Sequence, residues 1–336
     1  MSDSVASGAA ADISVVVVNY RTARETSACV NSLKRHPDGF SLQIIVVDNA
    51  SGDGSVEFLR AAHPDITVIA APENGGFAYG NAVGFAEAKA PLILLLNPDA
   101  EVYEGTLKSA VAELGRTEEI GMVGARVSLP DGRTQSSVIR FPSLAAQAWS
   151  VFVPNRIRRT NPVFGDPRYA SLDLSQAQDV DAVAGCFMLV RREVLEQVGG
   201  LDTRFFMYGE EVDWCRRIRA GGWGIRYCPD AHIAHLGGAS SSHLTVWKAR
   251  EMMRGQLLYH RLADGPAAAR IAAALMIVRD LVRVPPAGLS ALRSNAGRER
   301  LAALRARLAL GLKSLLSPPK GQEIQLPAAT ARHDRP

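Results

Sequence analysis

Two short stretches of this 336-residue chain carry side chains that could do chemistry. The first is Asn97-Pro98-Asp99, which ends the apolar run Leu92-Ile93-Leu94-Leu95-Leu96. A short, fully apolar run reads as a strand buried on both faces. Pro98 removes a ladder donor and stops it. Asp99 would then sit at the carboxyl end of a central strand, where open α/β sheets bind ligands. A carboxylate there can hold a divalent cation against a phosphate; an ordinary Asp-containing turn is the plainer alternative. The second stretch is Phe206-Met207-Tyr208-Gly209-Glu210-Glu211-Val212-Asp213. Glu210, Glu211 and Asp213 beside aromatic residues suit base catalysis, because partial burial raises a carboxylate's pKa. Acids in the first turn of a helix also serve simply to offset its dipole. His232 and His235, three residues apart, are either metal ligands or ordinary loop and core histidines.

The elements that must position these groups alternate. Ile13–Val18 is a β-branched run and a first strand, followed by a helix from Thr22 to His36. Gln43–Val47 is a second buried strand, ending at Asp48-Asn49-Ala50-Ser51; a helix to Ala62 and a strand Ile66–Ile69 follow. Strands alternating with helices imply parallel βαβ units with right-handed crossovers. Asn74-Gly75-Gly76-Phe77-Ala78-Tyr79-Gly80-Asn81 then forms a glycine-rich turn opening a helix, a place suited to anions. After Asp99 come a helix Glu104–Leu114 and a strand Met122–Val127. Pro130 to Gln178 is long and irregular, the mark of a functional loop or lid. A strand Ala184–Val190, a helix from the acidic cluster to Ala220 and a strand Ile225–Cys228 complete the pattern.

The last third changes character. Trp247–Leu262 reads as a helix. Ile271, Leu275, Val278 and Val282 form an apolar stripe at helical spacing, flanked by Arg270, Arg279 and Arg283. Pro285-Pro286 should break it. A second stripe of Leu301, Leu304, Leu308, Leu312 and Leu315 follows, flanked by Arg298, Arg300, Arg305, Arg307 and Lys313. Basic amphipathic helices suit an anionic membrane surface, where each Lys or Arg contributes about 1 kcal/mol. The alternative is a helical cap with its arginines reaching for water. The chain thus divides into a lead-in over 1–11 expected to be disordered, an α/β domain over 12–262, a basic helical extension over 263–317, and a Pro-rich tail over 318–336 expected to be disordered.

Composition narrows the function classes. A hydrophobic fraction of 47% fits a globular protein with a full core, and a net charge of +4 gives no reason to expect nucleic-acid binding. Cys29, Cys186, Cys215 and Cys228 show no metal or disulfide spacing and fit reduced thiols. Met1 to Asp12 lack a basic n-region, and no apolar stretch reaches the roughly 18–20 residues of a spanning helix. A cytoplasmic protein, peripheral at the inner membrane face, is the expectation.

Five segments appear in order: Val46-Val47-Asp48-Asn49-Ala50-Ser51, Asn74-Gly75-Gly76-Phe77-Ala78, Asn97-Pro98-Asp99, Phe206 to Asp213, and His235-Leu236-Gly237-Gly238-Ala239-Ser240. Together, over Ile13 to Leu262, the chain resembles glycosyltransferase family 2, in its rhamnosyltransferase-like branch that builds bacterial cell-surface polysaccharides. The resemblance implies a GT-A fold, a Rossmann-like mixed sheet flanked by helices, here with a C-terminal helical extension. It implies a nucleotide-diphosphate sugar donor, a divalent cation (Mg²⁺ or Mn²⁺) and inversion at the anomeric carbon. Tyr20 should stack on the donor base and Asp48 should accept from the base's N3–H. Asn74, Gly76, Asn81 and Asn97 fall in the donor-binding stretches. Asp99 should be the carboxylate of the metal site and His235 a further metal or diphosphate contact. Glu211 stands where the family usually has the aspartate of its Glu-Asp pair, which leaves the base open among Glu211, Asp213 and Glu210. Asn97 replaces the first acid of a typical DxD. Rhamnosyl transfer from dTDP-rhamnose to a polyprenyl-diphosphate-linked glycan is the leading expectation. UDP-galactofuranose or another UDP-sugar as donor, and a non-catalytic nucleotide-sugar-binding scaffold, are the alternatives.

Overall fold

A computed structural model describes residues 11–153, 173–235, 245–292 and 294–322. Its centre is a mixed sheet. Strand β1 (Ile13–Asn19) lies parallel between β2 (Leu42–Asp48) and β4 (Leu92–Leu96), and β3 (Thr67–Ala70) is parallel to β2 at one edge. Beyond β4, β11 (Phe187–Arg191) runs antiparallel to both β4 and β6 (Ile120–Ser128). The long β12 (Gly224–His235) is parallel to β6, and β5 (Ala100–Val102) closes the far edge antiparallel to β12. The register pairs Asn19 with Asp48 and Val17 with Leu96, so the carboxyl ends of β1, β2 and β4 finish together.

The all-apolar strands have a direct explanation. One core packs Val15, Val17, Leu94 and Leu96 against α1 (Ala23–Arg35) and α4 (Thr106–Leu114). The other packs Val16, Ile93 and Leu95 against α3 (Gly76–Glu87) and α7 (Glu210–Ala220). Both faces of the sheet are therefore covered, and no position in a central strand is left for a polar residue to face water. The remaining helices of the α/β layer are α2 (Ser55–Ala62), α5 (Leu144–Phe152) and α6 (Arg192–Val198). The expected irregular segment 130–178 contains β7 (Thr134–Gln135), β8 (Val138–Ile139) and α5; its residues 154–172 lie outside the described ones, and the short β9 (Gln178–Asp179) and β10 (Ala182–Val183) follow. The four cysteines are free and buried.

The helical extension differs from expectation at Pro285-Pro286. Two helical stretches, together α8 (Thr245–Ala291), meet at Gly265, whose φ of 88° and ψ of 174° are not helical, and the second runs on through Pro285 and Pro286. Interior prolines ordinarily cost a helix roughly 3 kcal/mol. Here α9 (Asn295–Leu316) returns antiparallel along α8 and offsets that loss. Arg307 meets Asp280, and Arg270 donates to the Leu315 carbonyl, so partners converge toward the hairpin turn. Ser294 caps α9 through Gly297 N–H at 3.0 Å. Residues Pro318–Gln322, in the expected tail, lie against the α/β domain: the Pro318 carbonyl accepts from Arg261, and Gln322 N–H donates to Arg204. Among the described residues no helix is long and apolar enough to cross a membrane.

Candidate active site

The chain reverses at the end of β4. Asn97 N–H donates to the Cys186 carbonyl at 3.2 Å and Ala100 N–H to the Asn97 carbonyl at 3.1 Å, which sets Asp99 into a cleft of roughly 1340 Å³. The β5–β12 register places Ala100 opposite His235. His235 is thereby brought beside Asp99, with Nε2 at 3.1 Å from Oδ1. Asn97 Nδ2 is 3.2 Å from the same Nε2, and Gln135 Oε1 is 3.2 Å from Nδ1. His232 does not join them. A spacing of three on a strand points side chains to opposite faces, and His232 instead meets Ser128 Oγ at 2.9 Å and stacks near Tyr103. The glycine-rich segment after His235 lies outside the described residues.

Of the expected donor-binding residues, Tyr20, Asn74, Gly76 and Asn97 line the cleft together with Asp99 and His235. Asp48 lies one layer beneath: its carboxylate accepts from Asn19 Nδ2 (2.6 Å), Ser51 Oγ (2.6 Å) and Ser51 N–H (3.0 Å). Asn81 is not among the lining residues and spends its amide on the Phe77 carbonyl of its own helix. Asn49, passed over in the sequence, does line the cleft. Its Nδ2 donates to Asn74 Oδ1 (3.0 Å) and the Gly76 carbonyl (2.8 Å), while its buried Oδ1 has no hydrogen-bond partner among the described residues. The signal was its place beside Asp48 at a strand end. Gly76 has φ +83°, and a Cβ there would overlap the Phe206 carbonyl, the acceptor of Phe77 N–H at 2.9 Å. Only glycine permits that approach between the donor loop and the acidic loop. Tyr208 at φ 70° is a further strained position, at the cleft.

The three acids of α7 have three different environments. Glu210 is 4% exposed, faces the cleft, and its Oε2 has no hydrogen-bond partner among the described residues. Burial, reinforced by the neighbouring Glu211 charge, pushes its pKa up to about 8. Glu211 also faces the cleft, accepts Gly209 N–H at 3.0 Å, and is raised by burial. Asp213 lies about 200° round the helix from Glu211. It is 1% exposed and bound to Arg216 (2.8 Å) and Arg217 (2.8 Å). Arg217 continues to the Val198 and Gly200 carbonyls, so Asp213 anchors a packing network away from the cleft.

The donor set at Asp99 is one carboxylate and one imidazole, and no group of three such ligands occurs among the described residues. One hard carboxylate and one borderline imidazole opening on a cleft are compatible with a divalent cation, Mn²⁺ more readily than Mg²⁺, that takes its remaining oxygens from water and substrate phosphates. A further wall comes from α8, which contributes Trp247, Lys248, Tyr259, Arg279 and Arg283.

A Rossmann-like mixed sheet with an acidic cleft at its strand ends is the architecture that glycosyltransferases of this fold share. The chain belongs to the glycosyltransferase-like family 2, whose model matches residues 10–255. Within that family it is rhamnosyltransferase-like. It is 28% identical over 223 residues, 61% of this chain and 71% of the relative, to the N-acetylglucosaminyl-diphospho-decaprenol L-rhamnosyltransferase of Mycobacterium tuberculosis. It is 24% identical over 239 residues, 67% of each protein, to the low-salt glycan biosynthesis hexosyltransferase Agl10 of Haloferax volcanii. Its fold is that of the mannosyltransferase PcManGT from Pyrobaculum calidifontis, solved with GDP-Man and Mn²⁺ (TM-score 0.53, 17% identity, 92% of this chain and 88% of that one).

Proposed function

We propose that the protein is an inverting hexosyltransferase that moves rhamnose from dTDP-rhamnose to a hydroxyl of a polyprenyl-diphosphate-linked cell-surface glycan. The observation that carries this reading is that Asp99–His235 and the raised carboxylates Glu210 and Glu211 face one cleft in a family 2 chain. The decaprenol-linked acceptor and rhamnosyl specificity in the name of the mycobacterial relative support the choice of substrates.

Tyr20 stacks on the donor base, with Asp48 beneath it. About four lone-pair sites are available on a carboxylate, and three of those on Asp48 are taken by Asn19 and Ser51. Asp99 and His235 would hold Mg²⁺ or Mn²⁺, which supplies positive charge toward the leaving diphosphate. Glu211 takes the proton of the acceptor hydroxyl as that oxygen attacks the anomeric carbon in line with the departing diphosphate. Its raised pKa makes it a stronger base than a solvated carboxylate, and Gly209 N–H keeps one oxygen oriented. Segment 129–150 walls the acceptor side.

The extension holds this cleft at the inner face of the plasma membrane. Ile271, Val278, Val282 and Leu289 of α8 share one helix face and are all exposed, at 44–66%. That apolar stripe, with basic residues beside it, suits an anionic bilayer surface.

The test is release of nucleoside diphosphate by the full-length protein with Mg²⁺ or Mn²⁺. Donors are dTDP-rhamnose, UDP-galactofuranose and UDP-glucose, with a lipid-diphosphate sugar as acceptor. Turnover of dTDP-rhamnose that needs the cation and falls at least a hundredfold in Asp99→Ala and Glu211→Gln is expected. Preference for a UDP-sugar would replace the donor; donor binding without transfer to any acceptor would favour a scaffold. Flotation on phosphatidylglycerol vesicles, lost on deleting 265–336, tests the membrane face.

A further inference from the structure

The helical wall of the cleft carries more positive charge than the ion pairs within the hairpin consume. Arg279 and Arg283, one turn apart on α8, both line the cleft. Between them in sequence, Asp280 is fully buried, and its charge is committed to α9: Arg307 Nε is 2.7 Å from Oδ2 and its Nη2 is 3.4 Å from Oδ1. Arg279 Nε is 3.5 Å from Asp280 and forms no hydrogen bond among the described residues. Its side chain is only 20% exposed, and burial together with Arg307 lowers its pKa to about 10. Arg283 has no ion-pair partner among the described residues. Two guanidiniums, Arg307 and Arg279, share the Asp280 carboxylate and Arg283 adds a further positive charge beside Arg279, so the wall carries a surplus, and the largely desolvated Arg279 faces the cleft. Such an arrangement is costly unless an anion completes it.

The neighbours of these arginines say what kind of anion. Each follows an exposed aliphatic residue, Val278 (44%) and Val282 (66%). Planar guanidiniums suit phosphate oxygens in bidentate pairs, and the valines suit a hydrocarbon chain. We propose that Arg279 and Arg283 form a subsite for the diphosphate of a prenyl-diphosphate-linked acceptor, with Val278 and Val282 under the first units of its chain. The inference rests on the transferase reading for its purpose: the subsite would hold the acceptor's lipid end while its sugar hydroxyl reaches Glu211.

The probe is geranyl diphosphate, titrated into the full-length protein in EDTA, so that no cation draws phosphate to Asp99. Saturable binding is expected for wild type, with none for geraniol. Arg283→Gln, at an exposed position where folding is not at stake, should weaken it about tenfold, the scale of one charge-assisted contact. Arg279→Gln/Arg283→Gln should abolish it, with thermal unfolding checked alongside. No binding by wild type, or equal binding by Arg283→Gln, overturns the subsite. A parallel fall in flotation on phosphatidylglycerol vesicles overturns it too, since the pair would then be reading bulk headgroups. In the transfer assay, Arg283→Gln should raise the KM for a diphosphate-linked acceptor but not for an alkyl-linked one. Geranyl diphosphate binding without transfer of any donor would reject the transferase reading and leave the subsite standing. Transfer with unaltered binding in both variants would do the reverse.

Discussion

The carboxyl edge of the sheet and the C-terminal hairpin wall the same cleft, but they hold charge in opposite ways. At the edge, charge is negative and is settled by short connections: Asp48 by Ser51 three residues on, and Asp99 by the ladder that brings His235 alongside. In the hairpin, charge is positive in excess and is settled over distance, Asp280 meeting Arg307 from the returning helix. The edge is a rigid frame made by backbone register. The hairpin is a pair of helices whose alignment depends on a few side chains, and whose spare arginines are what it offers to a ligand.

Two substitutions separate these modes of support. Asp280→Ala should have the largest effect on stability, on the order of 3–5 kcal/mol, because it strands buried guanidiniums; denaturant unfolding of the full chain reads it. A negligible loss would mean that apolar contacts such as Met253, Leu257 and Met276 hold the hairpin without help from charge. Asp213→Ala should cost less, about 1–3 kcal/mol, since Arg216 and Arg217 are each about a quarter exposed and can turn to water. Turnover per folded molecule should fall far less than in Glu211→Gln. An equal fall in both would return Asp213 to the chemistry.

The same contrast decided what could be read from the sequence. Apolar runs and strand-end motifs are local, so the runs that become β1, β2 and β4 and the place of Asp99 at a strand end were legible, while His235 was expected beside Asp99 only from the family resemblance. What depends on helix phase or on distant partners was not. The i,i+4 spacing of Asp213 and Arg217 allowed their pairing, but nothing local says which face of the helix looks into the cleft, or that Asp48 lies beneath Asn49. Pro285-Pro286 reads as a stop in any local pattern, and only the return of α9 shows why the helix continues. Arg279 and Arg283 looked like flanks of an apolar stripe; that they line the cleft follows from the bend at Gly265 and the packing of the hairpin.

The acidic loop joins edge and hairpin, and its titration is the next way to sharpen the contrast. Glu210 titrates near 8 when folded against an ordinary value of 4.5. Between those values the native state holds a proton that the unfolded state has released, so stability falls as pH rises from about 4.5 to about 8. Glu211, also raised, acts in the same direction. Glu210→Gln should flatten that slope, leaving the variant with a higher Tm than wild type at pH 8 and little difference at pH 5. Identical slopes would mean that the buried Oε2 of Glu210 finds a proton donor in solution.

The smallest effect is expected where the chain leaves the hairpin and returns to the edge. Gln322 Nε2 lies 2.6 Å from the Gly75 carbonyl, 2.9 Å from Thr203 and 3.3 Å from Phe205, while its own N–H reaches the Arg204 carbonyl at 2.9 Å. One amide thus ties the donor loop to the acidic loop from the far side of the chain. A net hydrogen bond contributes about 1 kcal/mol, and the shared geometry of three acceptors on one donor group keeps the total near that figure. Gln322→Ala should lower stability by about 1 kcal/mol and raise the donor KM a few-fold with kcat less affected, because Gly76 loses its fixed position before Glu211 does. A truncation after Ser317 should reproduce the kinetic change. If the truncation is silent while Gln322→Ala is not, the altered segment disturbs the loops and the lost amide contacts do not; if both are silent, the Gly76–Phe206 contact alone holds the two loops together, and the hairpin acts on the cleft only through the face it presents to it.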